Sequence, residues 1–225
     1  DVDTCRLITY TNKSVSEWNK FIRNNIIEGS DKAILTRNDL VMSYNTFVDE
    51  FKDTIIVNSE DYIIHDIKNF TNKDEIFGFN VTFIQVNGGN RTKPLFVVDH
   101  SNFNNVMLYY KLGETYIQNA INAEKYNRSK RWKEYYDFRE RNLLLVNLLD
   151  RSTGKIKFSR DLDYGFALTA NKAQGSTYSD VYVDINDIVF DMRTGNPWGN
   201  IDETLRRLYT ACSRCKNRLY LCYGK

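Results

Sequence analysis

The sequence predicts an α/β fold, in which one parallel-sheet domain is interrupted by a small β-barrel and a helical insertion. Three observations predict this order. Strand and helix patterns alternate near both ends of the 225-residue chain, short β-branched and aromatic runs fill residues 39–99, and helical spacing follows from 101 to 148. Each terminal α/β piece is too small for a sheet of its own, so the two are expected to share one.

The N-terminal piece has the pattern of a strand, a polar turn and an amphipathic helix. Residues 5–10 are predicted to form a short buried strand, which Thr11-Asn12 ends. Ser14-Val15-Ser16-Glu17 has the spacing of a capping box and predicts the start of the helix. The helix is expected to bury a face formed by Val15, Trp18, Ile22 and Ile26.

The insertion is predicted from short apolar runs separated by Asn, Asp and Gly clusters, such as Asn87-Gly88-Gly89-Asn90. This pattern is typical of a small antiparallel barrel. The helical stretch that follows has a predicted break near Asn127–Ser129, and residues 151–155 are predicted to form a turn. Strands are expected at 54–57, 62–67, 77–86 and 95–98.

The C-terminal piece returns to an α/β pattern. A strand is predicted at 164–168, and 181–185 resumes the sheet after a run of small and polar residues. A helix through Arg206–Lys216 then leads into a last strand at 218–223. We find no internal repeat and no low-complexity linker.

The composition excludes several classes of protein. Hydrophobic residues make up 42% of the chain and charged residues 27%, as in soluble globular proteins. No stretch reaches the ~18 apolar residues of a membrane span, and no apolar signal region follows Asp1. We therefore expect a cytoplasmic protein without membrane contact. The missing initiator Met predicts a fragment or a processed chain.

The charges are unevenly placed, although the net charge is only +2. Residues 205–225 hold six Lys or Arg and no acid, whereas 180–203 hold six acids and one Arg. A basic block of this kind serves either as a contact for a nucleotide or nucleic acid or as the solvated ends of a helix and strand.

Four cysteines stand at positions 5, 212, 215 and 222. Cys212-x-x-Cys215 has the spacing of a metal knuckle, but a second pair of ligands is lacking. We therefore predict no metal and no disulfide, with reduced thiols that pack as small apolar side chains.

Three segments carry residues suited to phosphate or sugar contacts. Thr9-Tyr10-Thr11-Asn12-Lys13 ends the first predicted strand, at the edge where ligands of α/β sheets gather, although an ordinary helix-capping turn has the same pattern. Ala167–Thr177 combines polar side chains with Gly175, which allows close approach to a ligand. In the third segment, Arg206–Lys216, Arg207 shares a helix face with Ala211, and Arg214 falls near the helix end.

Together these segments resemble the second RecA-like domain of superfamily-one helicases, most closely the RecD and phage Dda branch. Thr169–Ser176 is similar to the family motif T-x-H-K-x-Q-G-S, and Leu208–Lys216 to L-Y-T/V-A-x-S/T-R-x-K. Thr11–Val15 with Asn19 looks like the opening motif T-N-K-x-V-x-x-x-N. The three motifs occur in order across nearly the whole chain.

The resemblance implies roles for individual residues. Arg214 matches the arginine that reaches the γ-phosphate of ATP bound on the first domain, as an arginine finger. Gln174, Gly175 and Ser176 would lie toward the nucleotide. Asn171 replaces the family His, so a role that needs imidazole is lost, and Tyr209 is expected to pack in the core. The predicted contacts with nucleic acid are Thr11, Asn12, Lys13, Thr169, Asn171 and Lys172.

The resemblance also divides the chain. It implies a discontinuous RecA-like domain at 1–38 and 158–225, an SH3-like barrel at 39–100 and a helical projection at 101–157. In the projection, basic residues alternate with aromatic ones between Lys125 and Phe138 and either clamp single strands or flank a core stripe. That stripe would be Trp132, Tyr135, Tyr136 and Arg139.

No G-x-x-x-x-G-K-[ST] sequence occurs, so the first RecA-like domain is expected to be missing. The expected protein is the C-terminal fragment of an ATP-dependent DNA helicase, 5′-to-3′ by resemblance, that acts in phage or bacterial replication or recombination. ATP and Mg²⁺ would be cofactors of the full-length protein only, and single-stranded DNA and the missing domain its partners. The alternatives are a viral RNA helicase fragment and a non-enzymatic adaptor that binds protein or nucleic acid.

Overall fold

The computed structural model describes residues 4–49, 51, 53–150 and 152–223. It divides into two compact units, one from the described parts of 1–31 and 164–225 and the other from those of 32–163. Arg151, the first residue of the predicted turn at 151–155, lies outside the described residues, as do the outermost residues of the predicted RecA-like domain.

Strands and helices of the described residues are numbered in chain order. The strands are β1 (Cys5–Thr9), β2 (Leu40–Ser43), β3 (Phe47–Val48), β4 (Thr54–Ile56), β5 (Asp61–Thr71), β6 (Phe77–Gln85), β7 (Leu95–Val98), β8 (Leu148–Leu149), β9 (Ile156–Phe158), β10 (Leu162–Tyr164), β11 (Ala167–Thr169), β12 (Tyr178–Asp184) and β13 (Cys215–Cys222). The helices are α1 (Asn12–Ile26), α2 (Phe103–Ile121), α3 (Arg128–Glu140), α4 (Ile185–Val189) and α5 (Ile201–Cys212).

A four-stranded parallel sheet forms the centre of the first unit, in the order β11-β1-β12-β13. Leu7 of β1 pairs with Ala167 on one side and with Tyr182 on the other. Both ends of the chain therefore contribute to one parallel sheet, as the sequence predicts.

The strand predicted at 164–168 is in fact two strands. Tyr164 ends β10 and Ala167 begins β11, and these strands belong to different sheets. The chain bends at the two intervening residues, because Phe166 is buried and its carbonyl accepts the N–H of Leu7 at 3.0 Å.

Helix α1 begins two residues before the predicted capping box, so the Ser14 cap was wrong. Thr11 is the N-cap, and its hydroxyl accepts the N–H of Ser14 at 3.2 Å. An extended Thr with a free side-chain oxygen satisfies one of the orphan donors at a helix start. Glu17, the expected partner in the box, lies near Lys13 on the exposed surface instead.

The buried face of α1 is more polar than its spacing predicts. Val15 is buried as expected, but the other buried residues are Asn19 and Arg23, and Ile26 is exposed. Asn19 donates to the carbonyl of Ala167 at 3.2 Å and accepts its N–H at 2.7 Å. These bonds tie α1 to β11 and explain why an amide occupies a core position.

The second unit is built on a five-stranded sheet in the order β10-β2-β5-β6-β7. The long antiparallel pair β5–β6 forms its centre, and β6 passes β7 closely at Gly78. A Cβ there would lie 2.2 Å from the carbonyl oxygen of Val97, so only glycine fits. The SH3-like character of this insertion stays a prediction.

One core joins the sheet and the helices of the second unit. Phe96 of β7 packs in the same cluster as Tyr109 of α2, Phe138 of α3 and Phe158 of β9. The described parts of 39–100 and 101–157 therefore lie in one compact unit, where the sequence analysis expects a barrel and a helical projection. Residues 158–163 also belong to it, because Phe158 is fully buried in this core.

Phe138 is the buried residue through which helix α3 enters that core. Phe138 is fully buried, with ring centroids 5.0 Å from Tyr109 and 5.1 Å from Tyr116. The predicted stripe fits only in part, since Tyr135 packs against the core whereas Tyr136 is 56% exposed.

All four cysteines are described and are free thiols. Burial raises the pKa of Cys212, and the neighbouring Cys215 raises it further, so this thiol is protonated at neutral pH. Within the described residues, no group of three or more His, Cys, Asp or Glu side chains has a metal-binding arrangement. The helices described are also too short or too polar to cross a bilayer.

Candidate functional site

The order in which the chain adds strands to the parallel sheet reverses between β1 and β12. The chain runs from β1 to β11 on one side and from β12 to β13 on the other. In sheets of this kind, ligands bind beyond the carboxyl ends of the two strands that flank the switch. Here those ends are Thr9, which leads into α1, and Asp184, which leads into α4.

A buried carboxylate, Asp187, organises this edge. It accepts the N–H groups of Tyr10 and Thr11, both at 2.7 Å, and the Thr11 hydroxyl at 2.9 Å. The Thr9 hydroxyl also donates to it. Asp187 is only 2% exposed, so these four donors take the place of water as hydrogen-bond partners of the carboxylate.

These bonds give Thr11 a structural role in the turn between β1 and α1. Its N–H and hydroxyl donate to Asp187, and the same hydroxyl caps α1. The contact predicted between Thr11 and a nucleic-acid backbone stays a prediction. The neighbouring Asn12 and Lys13 are exposed at the first turn of α1.

A second aspartate holds α1 and α4 together at the same edge. Asp184 is the N-cap of α4 and accepts the N–H of Asp187 at 3.2 Å. It also accepts the indole N–H of Trp18 at 2.7 Å. The acidic stretch 180–203, seen in the sequence only as a charge imbalance, thus supplies the two carboxylates that fix the switch point.

An aromatic and cationic cluster connects this edge to α5. The Arg207 guanidinium carbon lies 3.7 Å from the centroid of the Tyr10 ring, and Tyr10 meets Trp198 edge-on at 5.1 Å. Trp198 donates its indole N–H to the carbonyl of Asp187 at 3.0 Å. Arg207 is 6% exposed, so the cation–π contact operates out of water.

Sequence reasoning missed this cluster. Arg207 drew notice only for sharing a helix face with Ala211, which the structure confirms because both are buried. No local pattern linked it to Tyr10 or Trp198. The position of Arg207 on the same helix face as Ala211 was the available signal, since an Arg on a buried face needs a partner.

The Thr169–Ser176 segment begins at the same edge. Ala170 donates its N–H to the carbonyl of Thr9 at 2.8 Å, and the Thr169 hydroxyl accepts the N–H of Lys172 at 3.2 Å. The structure therefore brings Thr169, Asn171 and Lys172 to the edge that carries Asn12 and Lys13. We call the six residues Thr11, Asn12, Lys13, Thr169, Asn171 and Lys172 the carboxyl-edge set.

The same segment leads into β12. β12 begins at Tyr178, which pairs with Cys215 about six residues below the level of Thr9 and Thr169. At ~3.3 Å per residue, that is about 20 Å along the strands. That distance applies to Tyr178 and not to Ser176, which is four residues after Lys172 and so lies within about 14 Å of it. The N–H of Ser176 donates to the carbonyl of Ala173 at 3.1 Å, which keeps this turn compact.

Arg214 is fixed at the end of α5 beside Ser176. Its Nε donates to the carbonyl of Thr210 at 3.1 Å, and its Nη2 to the Ser213 hydroxyl at 2.8 Å. Nη1 reaches the carbonyl of Ser176 at 3.4 Å, and the carbonyl of Arg214 accepts the N–H of Tyr178 at 2.8 Å. The guanidinium is half-buried and keeps part of its surface in solvent.

The other members of this region differ in exposure. Gln174 and Gly175 are exposed, and Ser176 is half-buried. Tyr209, expected in the core, is 74% exposed, so that prediction was wrong. It lies on the face of α5 opposite the buried Thr204, Arg207 and Ala211, which pack toward the sheet.

Gly175 adopts a backbone conformation that side chains avoid, with φ at +90°. We expect Gly175→Ala to destabilise the first unit by roughly 1–2 kcal/mol, the cost of a left-handed conformation for an L residue. Urea unfolding would measure the loss.

Gly199→Ala is the matched control. Both positions have open space around a new Cβ, but Gly199 has no positive φ. Its alanine variant should unfold within about 0.5 kcal/mol of the parent. Equal losses in the two variants would show that φ at Gly175 is not the cause.

Comparisons with known proteins find distant likenesses. No family model matches the chain. The uncharacterized protein R530 of Acanthamoeba polyphaga mimivirus is 37% identical over 59 residues, which cover 26% of this chain and 10% of that protein.

Among solved structures, the chain is similar to the Pif1 helicase from Candida albicans, with 15% identity and a TM-score of 0.49 over 99% of this chain and 45% of that one. The Bacteroides Pif1 helicase in complex with ADP-AlF3 and ssDNA matches at 12% identity and a TM-score of 0.47, over 97% and 40% of the two chains. The chain thus spans less than half the length of these helicases. Likenesses at these identities and TM-scores assign no activity to it.

Proposed function

We propose that this chain is the second RecA-like portion of a superfamily-one DNA helicase. In this proposal the carboxyl-edge set contacts nucleic acid, and Gln174, Gly175, Ser176 and Arg214 contact the nucleotide. The observation that supports this most is the contact between Arg214 and Ser176. It joins two motif-like segments that are 38 residues apart in sequence.

In the proposed mechanism, Arg214 acts as an arginine finger. Its planar guanidinium presents several N–H donors, which suit the oxygens of a transferring phosphoryl group. The bonds to Thr210 and Ser213 orient the group, whereas the 3.4 Å contact with Ser176 is long and readily exchanged. The Arg214 guanidinium is therefore held in one orientation, and part of its N–H surface stays accessible to a ligand.

The residues of this chain fit only one side of a nucleotide. Exposed Gln174 and Gly175 and half-buried Arg214 offer polar contacts, but the G-x-x-x-x-G-K-[ST] phosphate cradle does not occur in the sequence. A bound ATP with Mg²⁺ would supply the phosphoryl group for hydrolysis. The proposal therefore places most phosphate contacts on another portion of a longer polypeptide.

The carboxyl-edge set is proposed to hold single-stranded DNA. Lys13 and Lys172 supply positive charge, and Asn12, Asn171 and Thr169 supply neutral donors for phosphate and sugar oxygens. RNA would be contacted in the same way, since none of these groups reads the sugar.

The extent of the gene tests the proposal directly. A G-x-x-x-x-G-K-[ST] sequence upstream, with ATP turnover that single-stranded DNA stimulates, is the expected result. A natural protein of only these residues, with no nucleotide partner, would contradict the proposal and favour the non-enzymatic adaptor.

A salt titration tests the carboxyl-edge set. Lys13→Gln combined with Lys172→Gln should weaken binding to single-stranded DNA and reduce the salt slope by about 1.4, the value for two phosphate contacts. Fluorescence anisotropy at several salt concentrations would measure both quantities.

Lys20→Gln combined with Lys216→Gln is the control for this pair. Both lysines are exposed, but neither belongs to the carboxyl-edge set. The slope of the control should stay that of the parent. A similar decrease in both pairs would indicate a general charge effect and not a site.

A further inference from the structure

A basic segment of the second unit is not used by the proposed function. Residues 125–133 contain five Lys or Arg and no acid. Every residue from Glu124 to Arg131 is exposed. Apart from Arg131, which pairs with Glu134 one turn later, these cations have no ion pair among the described residues.

Aromatic side chains lie beside these charges. Trp132 and Tyr136, one turn apart on α3, have ring centroids 6.2 Å apart and planes inclined by 32°. Tyr136 is 56% exposed and Tyr126 is 79% exposed. Exposed aromatic rings with flexible cations around them are the elements on which unpaired bases stack.

The packing of α3 accounts for only part of this set, since Trp132 and Tyr136 contact the ring of Tyr135 but the cations of 125–133 contact no core residue among those that the structure describes. The helix is held from its other face by buried Phe138, by Tyr135 and by the ion pair of Arg139 with Asp161 at 3.0 Å. Lys133 projects from the opposite side by helical spacing, and Lys130 lies near it. Tyr136 lies at the border of the two faces, with its ring centroid 5.3 Å from that of Tyr135. Of the three acids of α3, Glu134 pairs with Arg131, and Asp137 and Glu140 lie toward the C-terminal end, so the positive charge is concentrated in the first half of the helix.

We propose that residues 125–136 form a second binding surface for single-stranded nucleic acid, which we call the α3 surface. Bases stack on Tyr136, Tyr126 and the exposed part of Trp132, while Lys125, Arg128, Lys130 and Lys133 neutralise phosphates. The surface reads no sequence, because every base has a stacking face. It belongs to the second unit and is independent of the Arg214 region.

The test measures binding of the 225-residue chain to a fluorescent oligo(dT) of about 20 nucleotides, longer than the ~4–16 nucleotides that one module covers. Tyr126→Ala with Tyr136→Ala should weaken binding about tenfold or more. Tyr136→Phe keeps the ring and should bind like the parent. Lys130→Gln with Lys133→Gln should reduce the salt slope by about 1.4.

Lys73→Gln with Lys155→Gln is the matched control, since both lysines are exposed in the second unit and neither is on α3. An affinity and a salt slope that stay unchanged in the α3 variants would overturn the proposal. So would a chain that binds no oligonucleotide. Self-association that Tyr136→Ala abolishes, with oligonucleotide binding unaltered, would overturn it in favour of a second copy of the chain.

The same assay separates this proposal from the proposed function. If the Lys13 and Lys172 variant binds normally while the α3 variants bind weakly, the carboxyl-edge set fails and the α3 surface stands. The reverse pattern overturns the α3 surface alone.

Discussion

Replacing Arg214 with alanine is expected to lower ATP turnover on single-stranded DNA by at least about 10³-fold in the full-length protein, the range found for arginine fingers. The loss is expected because the Arg214 guanidinium, which contacts the Ser176 carbonyl, is the group proposed to stabilise the charge on the transferring phosphoryl group. Nucleotide binding should fall far less, since most phosphate contacts are proposed to lie on another portion of the polypeptide. Steady-state turnover and equilibrium nucleotide binding would be measured separately.

Two variants sharpen this experiment. Arg214→Lys should also lose ATP turnover, because an ammonium cannot reproduce the planar fork of the guanidinium. Arg206→Ala is the matched control, since Arg206 is an exposed arginine of the same helix and should keep near-normal turnover. If Arg214→Ala hydrolyses ATP like the parent, the arginine-finger assignment is wrong and the adaptor becomes the better hypothesis.

Replacing Asp187 with alanine is expected to destabilise the first unit by about 3–5 kcal/mol. The change leaves four donors without an acceptor: the N–H groups of Tyr10 and Thr11 and the hydroxyls of Thr9 and Thr11. Asp187 is 2% exposed, so little water can replace it. Each unsatisfied buried donor costs ~1–3 kcal/mol, and local relaxation recovers part of the sum. The turn between β1 and α1 should loosen first.

Urea unfolding followed by tryptophan fluorescence measures this loss in a Trp132→Phe background. The two remaining tryptophans, Trp18 and Trp198, both lie in the first unit, so the signal reports that unit alone. Trp198 also donates to the carbonyl of Asp187 and senses the site directly.

Asp187→Asn separates the hydrogen bonds from the charge. Its amide oxygen can accept the three donors that meet one carboxylate oxygen, and its NH₂ group can donate to the Thr11 hydroxyl. The asparagine variant should therefore lose less than half as much stability as the alanine variant. An alanine variant within about 0.5 kcal/mol of the parent would show that the network does not hold the turn.

In the second unit, the strands could be predicted from the sequence but the shared core could not. The runs at 77–86 and 95–98 predicted β6 and β7 nearly to the residue, because β-branched and aromatic runs with polar ends depend on local sequence. The sequence still predicted a barrel and a separate helical projection in this region. Only the packing of Phe96, Tyr109, Phe138 and Phe158 in one cluster made them a single unit.

The candidate site divides in the same way. The order of the three motif-like segments could be read from the residues, and so could the parallel sheet that carries them. The partners within the site could not. Asp187 lies 176 residues from Thr11, and Arg207 is still farther from Tyr10 in sequence, so no local spacing connects them.

The sequence alone therefore determined the α/β class, the order of the elements and the residues to inspect, because periodicity and turn chemistry act over a few neighbouring residues. The tertiary structure decided that Thr11 and not Ser14 caps α1, that Tyr209 faces solvent, and that residues 164–168 divide between two sheets. Each of these outcomes depends on a contact between distant segments. The buried donors of the turn after β1 need an acceptor, and only the folded chain brings Asp187 to them.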